Sequence, residues 1–481
     1  MMKFILISLL LLLNFTVKSQ TVFSRTYGAF GEFNQAAAVV STSDSGFVIC
    51  GSTGGWGAIN GDITLIKTDS AGIQLWAKVY GTVAEEKAVS VCLLPDGGFL
   101  VAGITSAANG DYDYLIVRTD NAGEEIWMQT YGTDNWDIAE KAVMLTDGSI
   151  IITGTTYGGE TPNGGILSIH VDPAGELIWQ KLLPLNDHQL AGGLTATLDN
   201  EFIVGGSAVN PVNGTEDIFV CRLNSDGDTL FTKFFSGPLQ DNLTGLTGCN
   251  QWNTYLICGT RDVDTEIRQG VIYIIDEYGA VIDTTVSTAG FDISYDDINY
   301  RDFYNTVIVA NTFPDNGVQR AALFQLTYTL EFICSSVFPG AEPCFGTGIN
   351  QAHNGIVLAG NTELYEPGQI SIFLHKVDGN CTAGPLQVGI KDRKLLIGTA
   401  FPNPADSRIN FLFNSGSIKY SDDLRLIDYQ GRSVNVAFEI NNDGIAADVS
   451  SLASGIYYLI YRNSENGEIY NQVIEIVHPG E

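Results

Sequence analysis

Two kinds of apolar run alternate along most of the chain. An alternating run such as Ala88-Val89-Ser90-Val91-Cys92-Leu93 precedes a continuous one such as Phe99-Leu100-Val101-Ala102. Alternation predicts a strand with one covered face, and a continuous run predicts a strand covered on both. Between them lie Pro95-Asp96-Gly97-Gly98 and, one copy later, Thr146-Asp147-Gly148-Ser149. Such Asp-Gly pairs suit short hairpins, because glycine accepts a positive φ without steric cost. A third run, Asp62 to Thr68, and a fourth, Leu75 to Tyr80, are joined by Asp-x-x-Gly, as at Asp69 to Gly72. The same turn recurs at Asp120 to Gly123, Asp172 to Gly175 and Asp276 to Gly279, with Asn224 to Gly227 as a variant. An Asx side chain caps the turn that it begins, and the glycine takes the left-handed position.

The four-run unit repeats about every 50 residues, a period that signals a stacked or circular array rather than a single sheet. The residues that end the second run fall at Gly51, Gly103, Gly154, Gly206, Gly259, Asn311 and Gly360, which makes seven copies. The last copy stops at Gly379-Asn380-Cys381 without a fourth run, while Val22-Phe23-Ser24-Arg25-Thr26-Tyr27-Gly28 carries that fourth-run pattern ahead of the first copy. A ring in which the N-terminal strand completes the last sheet removes the open seam. The expected fold is all-β: a seven-bladed β-propeller followed by a small C-terminal β-sandwich.

Trp76, Trp127, Trp179 and Phe231 each stand four residues after the turn glycine or its equivalent, and recurrence in successive units assigns them to packing between blades. Trp56, Trp136 and Tyr157 lie in loops after the second strand or between repeats, so they are the candidates for ligand contact. Glu86 and Glu140 precede their first strands and either line the mouth of a central channel or cap turns. Two acids stand two apart at Asp111 and Asp113 and at Asp226 and Asp228, but no run supplies the six or more oxygens of a dedicated calcium loop, so no metal site is assigned. His170 takes the place of Lys67 and Arg118 in its copy and is expected to face outward.

The charge balance of 24 Lys and Arg against 55 Asp and Glu, a net −31, opposes binding to nucleic acid or to an anionic membrane surface. Lys3, the apolar run Phe4 to Val17 and Lys18-Ser19-Gln20 read as a secretory signal peptide over 1–20, and no later run is long enough for a membrane-spanning helix. Eight cysteines in an exported chain permit disulfides. Cys50 and Cys258 occupy matching second-strand positions held elsewhere by Ala102 and Ala359, so free buried thiols are expected there. Cys334, Cys344 and Cys381 are candidates for a bridge whose pairing the spacing leaves open.

The repeats from Thr21 to about Cys381 resemble the β-propeller repeats of secreted proteins of Bacteroidetes-type bacteria. The resemblance implies the fold and leaves the ligand open. The Asp-x-x-Gly-x-x-x-Trp element also looks like the blade-docking motif of quinoprotein dehydrogenases, but the calcium site and adjacent cysteines of that chemistry have no counterpart here, and no cofactor is expected. After a linker over 385–397 the period is lost. Phe401-Pro402-Asn403-Pro404, Asp428-Tyr429-Gln430-Gly431-Arg432 and Leu452-Ala453-Ser454-Gly455-Ile456-Tyr457 follow in order over 398–481. This order closely resembles the type A C-terminal sorting domain of the type IX secretion system, with Pro402, Asn403, Pro404, Gly431, Gly455 and Tyr457 as its motif. The resemblance implies recognition by the outer-membrane translocon, removal of the domain, and a product released or held at the surface. The terminus Val477-His478-Pro479-Gly480-Glu481 departs from the basic strand that ends many members.

No catalytic residue is assigned. The chain has no His-Glu-x-x-His pair, no phosphate-binding glycine loop, no Gly-x-Ser-x-Gly elbow and no Cys-x-x-Cys pair. Two classes of function are carried forward. One is a non-enzymatic exported module that binds a glycan or a protein through loops on one face. The other is a propeller-fold polysaccharide hydrolase or lyase with an acidic site at the channel mouth.

Overall fold

The computed structural model describes residues 22–476 except 29–32, 56–57, 59–60, 107–109, 186–187, 238, 250–252, 263–267, 288–293, 302–304, 316–317, 328, 340–342, 367–368, 384–385, 388–399, 402–406, 413–423, 429–432, 435, 442–443 and 463–468. The signal peptide assigned to 1–20 lies outside the described residues. Each repeat forms one antiparallel sheet of four consecutive strands, as in Asn34–Ser41, Phe47–Thr53, Asp62–Thr68 and Gln74–Tyr80. Six such sheets follow in sequence, and a seventh is built from Cys344–Ala352, Gly355–Glu366, Gln369–Asp378 and the N-terminal strand Phe23–Tyr27. The first strand of each blade packs on the first strand of the next, and Cys344–Ala352 packs on Asn34–Ser41, so the ring is closed. Every residue of Phe47–Thr53 is buried, as the continuous apolar run required.

Closure by the N-terminus is antiparallel and in register from Phe23 opposite Lys376 to Tyr27 opposite Ile372. Leu386–Gln387, inside the segment read as a linker, adds a short parallel strand outside it and belongs to the propeller. His375 locks the join. Its Nδ1 lies 2.6 Å from the Ser24 hydroxyl and its Nε2 3.1 Å from that of Ser336, so one buried ring ties the N-terminal strand to the last two blades. Burial holds the imidazole at about 4, below its ordinary value, so it is neutral in the folded state. The unfolded chain therefore binds a proton that the folded chain refuses between pH 6.5 and about 4. Stability should be full above pH 6.5 and fall by about 3 kcal/mol as the pH drops through that window. Urea unfolding at stepped pH checks this, and His375→Gln should flatten that component of the slope.

Each of the seven seams between blades holds its own apolar cluster. Trp76 packs with Val48, Leu65, Phe99 and Val117 between blades 1 and 2, and Trp127, Trp179 and Phe231 take the same role in the next three seams. The turns meet these rings. Asp69 Oδ1 accepts the amides of Ala71 and Ile73, and Gly72 adopts a φ of 73°. At the equivalent Gly123, a Cβ would come within 2.7 Å of the Trp76 ring. Tyrosines fasten the first seams, with Tyr27, Tyr80 and Tyr131 donating to the carbonyls of Gly72, Gly123 and Gly175 at 2.6 to 2.7 Å. A Gly123→Val variant meets both positive φ and the Trp76 ring, and is expected to lose about 3 kcal/mol in chemical denaturation.

The bridge left open by spacing is Cys334–Cys381, and Cys50 and Cys258 are free and buried. Cys334 stands four residues after Leu330, the left-handed turn residue of its blade, and so occupies the place of Trp76. Cys381 closes the Asp378 turn with a φ of 60° and occupies the place of the turn glycine. A covalent bond thus replaces the ring-on-glycine contact at the seam between blades 6 and 7. The expectation that His170 faces outward is corrected: it is 6% exposed, packs edge-on against Trp179 and bonds Ser149. A tryptophan beside it covers the imidazole.

The C-terminal residues form two four-stranded sheets. One contains Arg408–Leu412 and Gly444–Asp448, the other Leu424–Asp428, Gly455–Arg462 and Ile469–Ile476. Their apolar faces enclose Ile409, Leu426, Val449, Tyr457, Leu459 and Ile476, which is the expected sandwich. Gly455 opens its strand, and Tyr457 is buried with its hydroxyl donated to the Ala453 carbonyl at 2.9 Å. Pro402, Asn403, Pro404 and Gly431 lie outside the described residues.

Candidate functional site

A bulge interrupts the first strand of every blade at the same place, as between Ala139 and Lys141 and between Tyr295 and Asp297. The bulged residues line a central cavity of about 190 Å³. In five copies the bulge and the next residue are uncharged, as in Ala37-Ala38, Val89-Ser90, Gly192-Gly193, Thr244-Gly245 and Thr347-Gly348. Blades 3 and 6 place Glu140-Lys141 and Asp296-Asp297 there instead.

Glu140 and Glu86, read as equivalent positions, have different surroundings. Glu140 is the bulge residue and remains accessible from the lumen. Enclosure by the channel wall nevertheless pushes its carboxyl up to about 7, against the opposing pull of Lys141. Lys141 reaches the Leu246 carbonyl of blade 5 at 3.4 Å. Burial also raises Asp297, opposed by Lys141 and by the Ile349 and Ile298 amides that its carboxylate accepts. Glu86 is fully buried and caps a turn, accepting the Thr82 hydroxyl at 2.6 Å and the Thr105 hydroxyl at 3.0 Å. A side chain so enclosed does not present itself to a ligand on the face of the ring.

Trp136 and Tyr157 do come together. They are direct partners on neighbouring strands of blade 3, which sets both side chains on one side of the sheet. Trp136 is 51% exposed and Tyr157 37%, and Tyr112 of blade 2 meets the Trp136 ring edge-on at 5.5 Å. Trp56 lies outside the described residues. Tyr112, Lys141, Asp296 and Asp297 were not among the sequence candidates. The signal for all four is departure from the repeat: Tyr112 stands where the first blade has Gly61, and the channel charges stand where other blades are neutral.

A family profile described as a secretion system C-terminal sorting domain matches residues 399–475. A second, a β-propeller domain of unknown function, matches 198–229. This chain is a β-propeller protein carrying a type IX secretion sorting domain. Export through that system to the cell surface or the extracellular space follows from the sorting domain. No helix among the described residues is long and apolar enough to cross a membrane. A comparison with curated proteins finds no match.

Among solved structures, the propeller protein is similar to PorZ, a surface component of the type IX secretion system of Porphyromonas gingivalis, at 9% identity and a TM-score of 0.39, covering 90% of this chain and 58% of that one. It is similar to the WD40 domain of Neurospora crassa Pan2 at 10% identity and a TM-score of 0.45, covering 73% and 92%. It is also similar to an ulvan lyase at 12% identity and a TM-score of 0.47, covering 74% and 96%. At such identities the likeness carries no functional assignment.

Proposed function

We propose that the exported propeller is a non-enzymatic binding module that holds a glycan on the face bearing Trp136, Tyr157 and Tyr112. The observation that carries this reading is the exposure of two large aromatics placed side by side by strand register. Flat, rigid rings left in water offer stacking area to a sugar ring at little entropic cost. The net charge of −31 disfavours anionic polysaccharides and favours neutral or basic ones. On this reading the translocon is the partner of the sorting domain, and the propeller acts at the surface or beyond it.

A glycan array probed with the full chain tests the proposal. Trp136→Ala and Tyr157→Ala should each weaken binding about tenfold, with the thermal transition unchanged. Binding that survives both substitutions, or that appears only on a protein ligand, would refute the glycan reading. The second reading, a hydrolase or lyase, draws on Glu140, whose carboxyl near 7 suits a general acid or base. It requires polysaccharide turnover by the unmodified chain and its loss in Glu140→Gln.

A further inference from the structure

Building on the glycan reading above, on which this inference rests, we infer that the aromatic platform is one end of a longer site that continues over blades 4 and 5 and takes a neutral oligosaccharide. One sugar unit would stack on Trp136 and Tyr157, and the units beyond it would set their hydroxyls against a polar subsite made by His188, Glu216 and Gln240. Strand register places all of these on one arc. Trp136, His188 and Gln240 stand three residues ahead of Ala139, Ala191 and Leu243, the residues at which the first strands of blades 3, 4 and 5 begin their bulges. Tyr112, Gly164 and Glu216 likewise share one place, just ahead of Asp113, Gly165 and Asp217 in the third strands of blades 2, 3 and 4. The two positions meet at three successive seams: Tyr112 against Trp136, Gly164 against His188, and Glu216 against Gln240.

Gly164 joins the two halves. A Cβ there would meet the Gln189 carbonyl oxygen at 2.7 Å and touch the Tyr157 ring at 3.4 Å, so the absence of a side chain brings the platform up to the backbone that carries His188. The Gly164 carbonyl accepts the His188 amide at 3.1 Å and helps to hold His188 at a φ of 72°. A histidine takes that conformation only where its surroundings impose it. From this position its Nε2 lies 3.3 Å from Glu216 Oε2, to which the Gln240 side-chain amide also donates. The subsite therefore spans the seam between blades 4 and 5. Its rim is open to solvent, with the His188 side chain 43% exposed and Gln240 exposed as well.

Glu216 carries the observation that points to a ligand. Its side chain is 10% exposed, His188 and Gln240 both meet Oε2, and Oε1 has no hydrogen-bond partner. A buried carboxylate oxygen left unmatched is costly, and a donated hydroxyl removes that cost. Neighbouring hydroxyls of a sugar suit this group, because one can donate to the carboxylate while the next exchanges a hydrogen bond with an imidazole or an amide. In blade 2 the residue at the place of Trp136 and His188 is also an acid, Glu85, but Lys87 pairs with it at 2.8 Å. That carboxylate is matched within its own blade, and the site ends there. An acidic chain would meet both Glu216 and the net charge of −31 with repulsion, so the matching ligand is neutral.

Titration calorimetry of the full chain with gluco-, manno- and galacto-oligosaccharides of one to six units tests the extended site. In the series that binds, affinity should rise about tenfold between the disaccharide and the tetrasaccharide. Glu216→Gln and His188→Asn should each remove most of that rise and leave the disaccharide within about twofold of the parent, whereas Trp136→Ala should weaken every length. Asparagine tolerates the left-handed backbone at position 188, so the second variant keeps the fold if the first does not. The extended site alone is overturned if affinity stops growing at the disaccharide, or if both variants keep the parent's dependence on length, whatever their Tm. Equal weakening at every length overturns it too. If no series binds, or if Trp136→Ala binds as the parent does, the platform reading falls and this inference falls with it.

Discussion

Deleting Phe23–Tyr27 from the full chain should abolish the cooperative unfolding transition of the propeller. Phe23 and Tyr27 are 1% and 3% exposed in the cluster that also holds Phe47, Val357 and Ile372, so both faces of the last seam depend on them. Truncating a buried aromatic costs about 3–5 kcal/mol, and two such losses approach the whole stability of a typical domain. The deletion also strands His375 without Ser24 and opens a sheet edge along Gln369–Asp378. Urea unfolding followed by tryptophan fluorescence should show a broad transition at low denaturant. A peptide spanning residues 22–28, added in trans, should restore the sharp one. An unchanged midpoint in the deletion would mean that blade 7 stands without its outer strand.

The second large effect is expected at the bridge between blades 6 and 7. Cys334 and Cys381 are 47 residues apart, and closing a loop of that size stabilises by about 4 kcal/mol in the chain-entropy account. Reductant should lower the urea midpoint of the parent and leave that of the Cys334→Ala, Cys381→Ala double variant where it already lies. Because these cysteines occupy the places of Trp76 and Gly123, the pair Cys334→Trp and Cys381→Gly should recover part of the loss without a covalent bond. Equal midpoints for the parent in oxidising and reducing conditions would show that the bridge adds nothing to the seam.

The ring was legible because each of its determinants is local or periodic. Asp-x-x-Gly turns, fully apolar second strands and the orphan strand at Val22 all announce themselves within a few residues, and the structure places them accordingly. The disulfide was legible in principle, by aligning Cys334 and Cys381 with Trp76 and Gly123, but spacing alone treats Cys344 as their equal. The site was less legible. Glu86 and Glu140 look alike in sequence, yet by strand register Glu86 matches Asp137 and closes a turn, while Glu140 matches Val89 as the bulge residue and lines the lumen. A bulge leaves no mark in composition, and it moves a side chain from one face to another. The approach of Asp113 to Asp137 beside Gly132 is hidden for a different reason, since the two acids belong to different blades and meet only once the seam has formed. Departures from the repeat, such as Tyr112, Glu140-Lys141 and Asp296-Asp297, are the most informative marks of a site in such a chain.

Hydrogen exchange resolved to the N-terminal strand tests ring closure most directly. Amides within Phe23–Tyr27 should exchange as slowly as those of Ile372 to Val377, because the two strands share one ladder and one apolar seam. Exchange of Phe23–Tyr27 at the rate of an unstructured peptide, while Ile372 to Val377 stays protected, would contradict it.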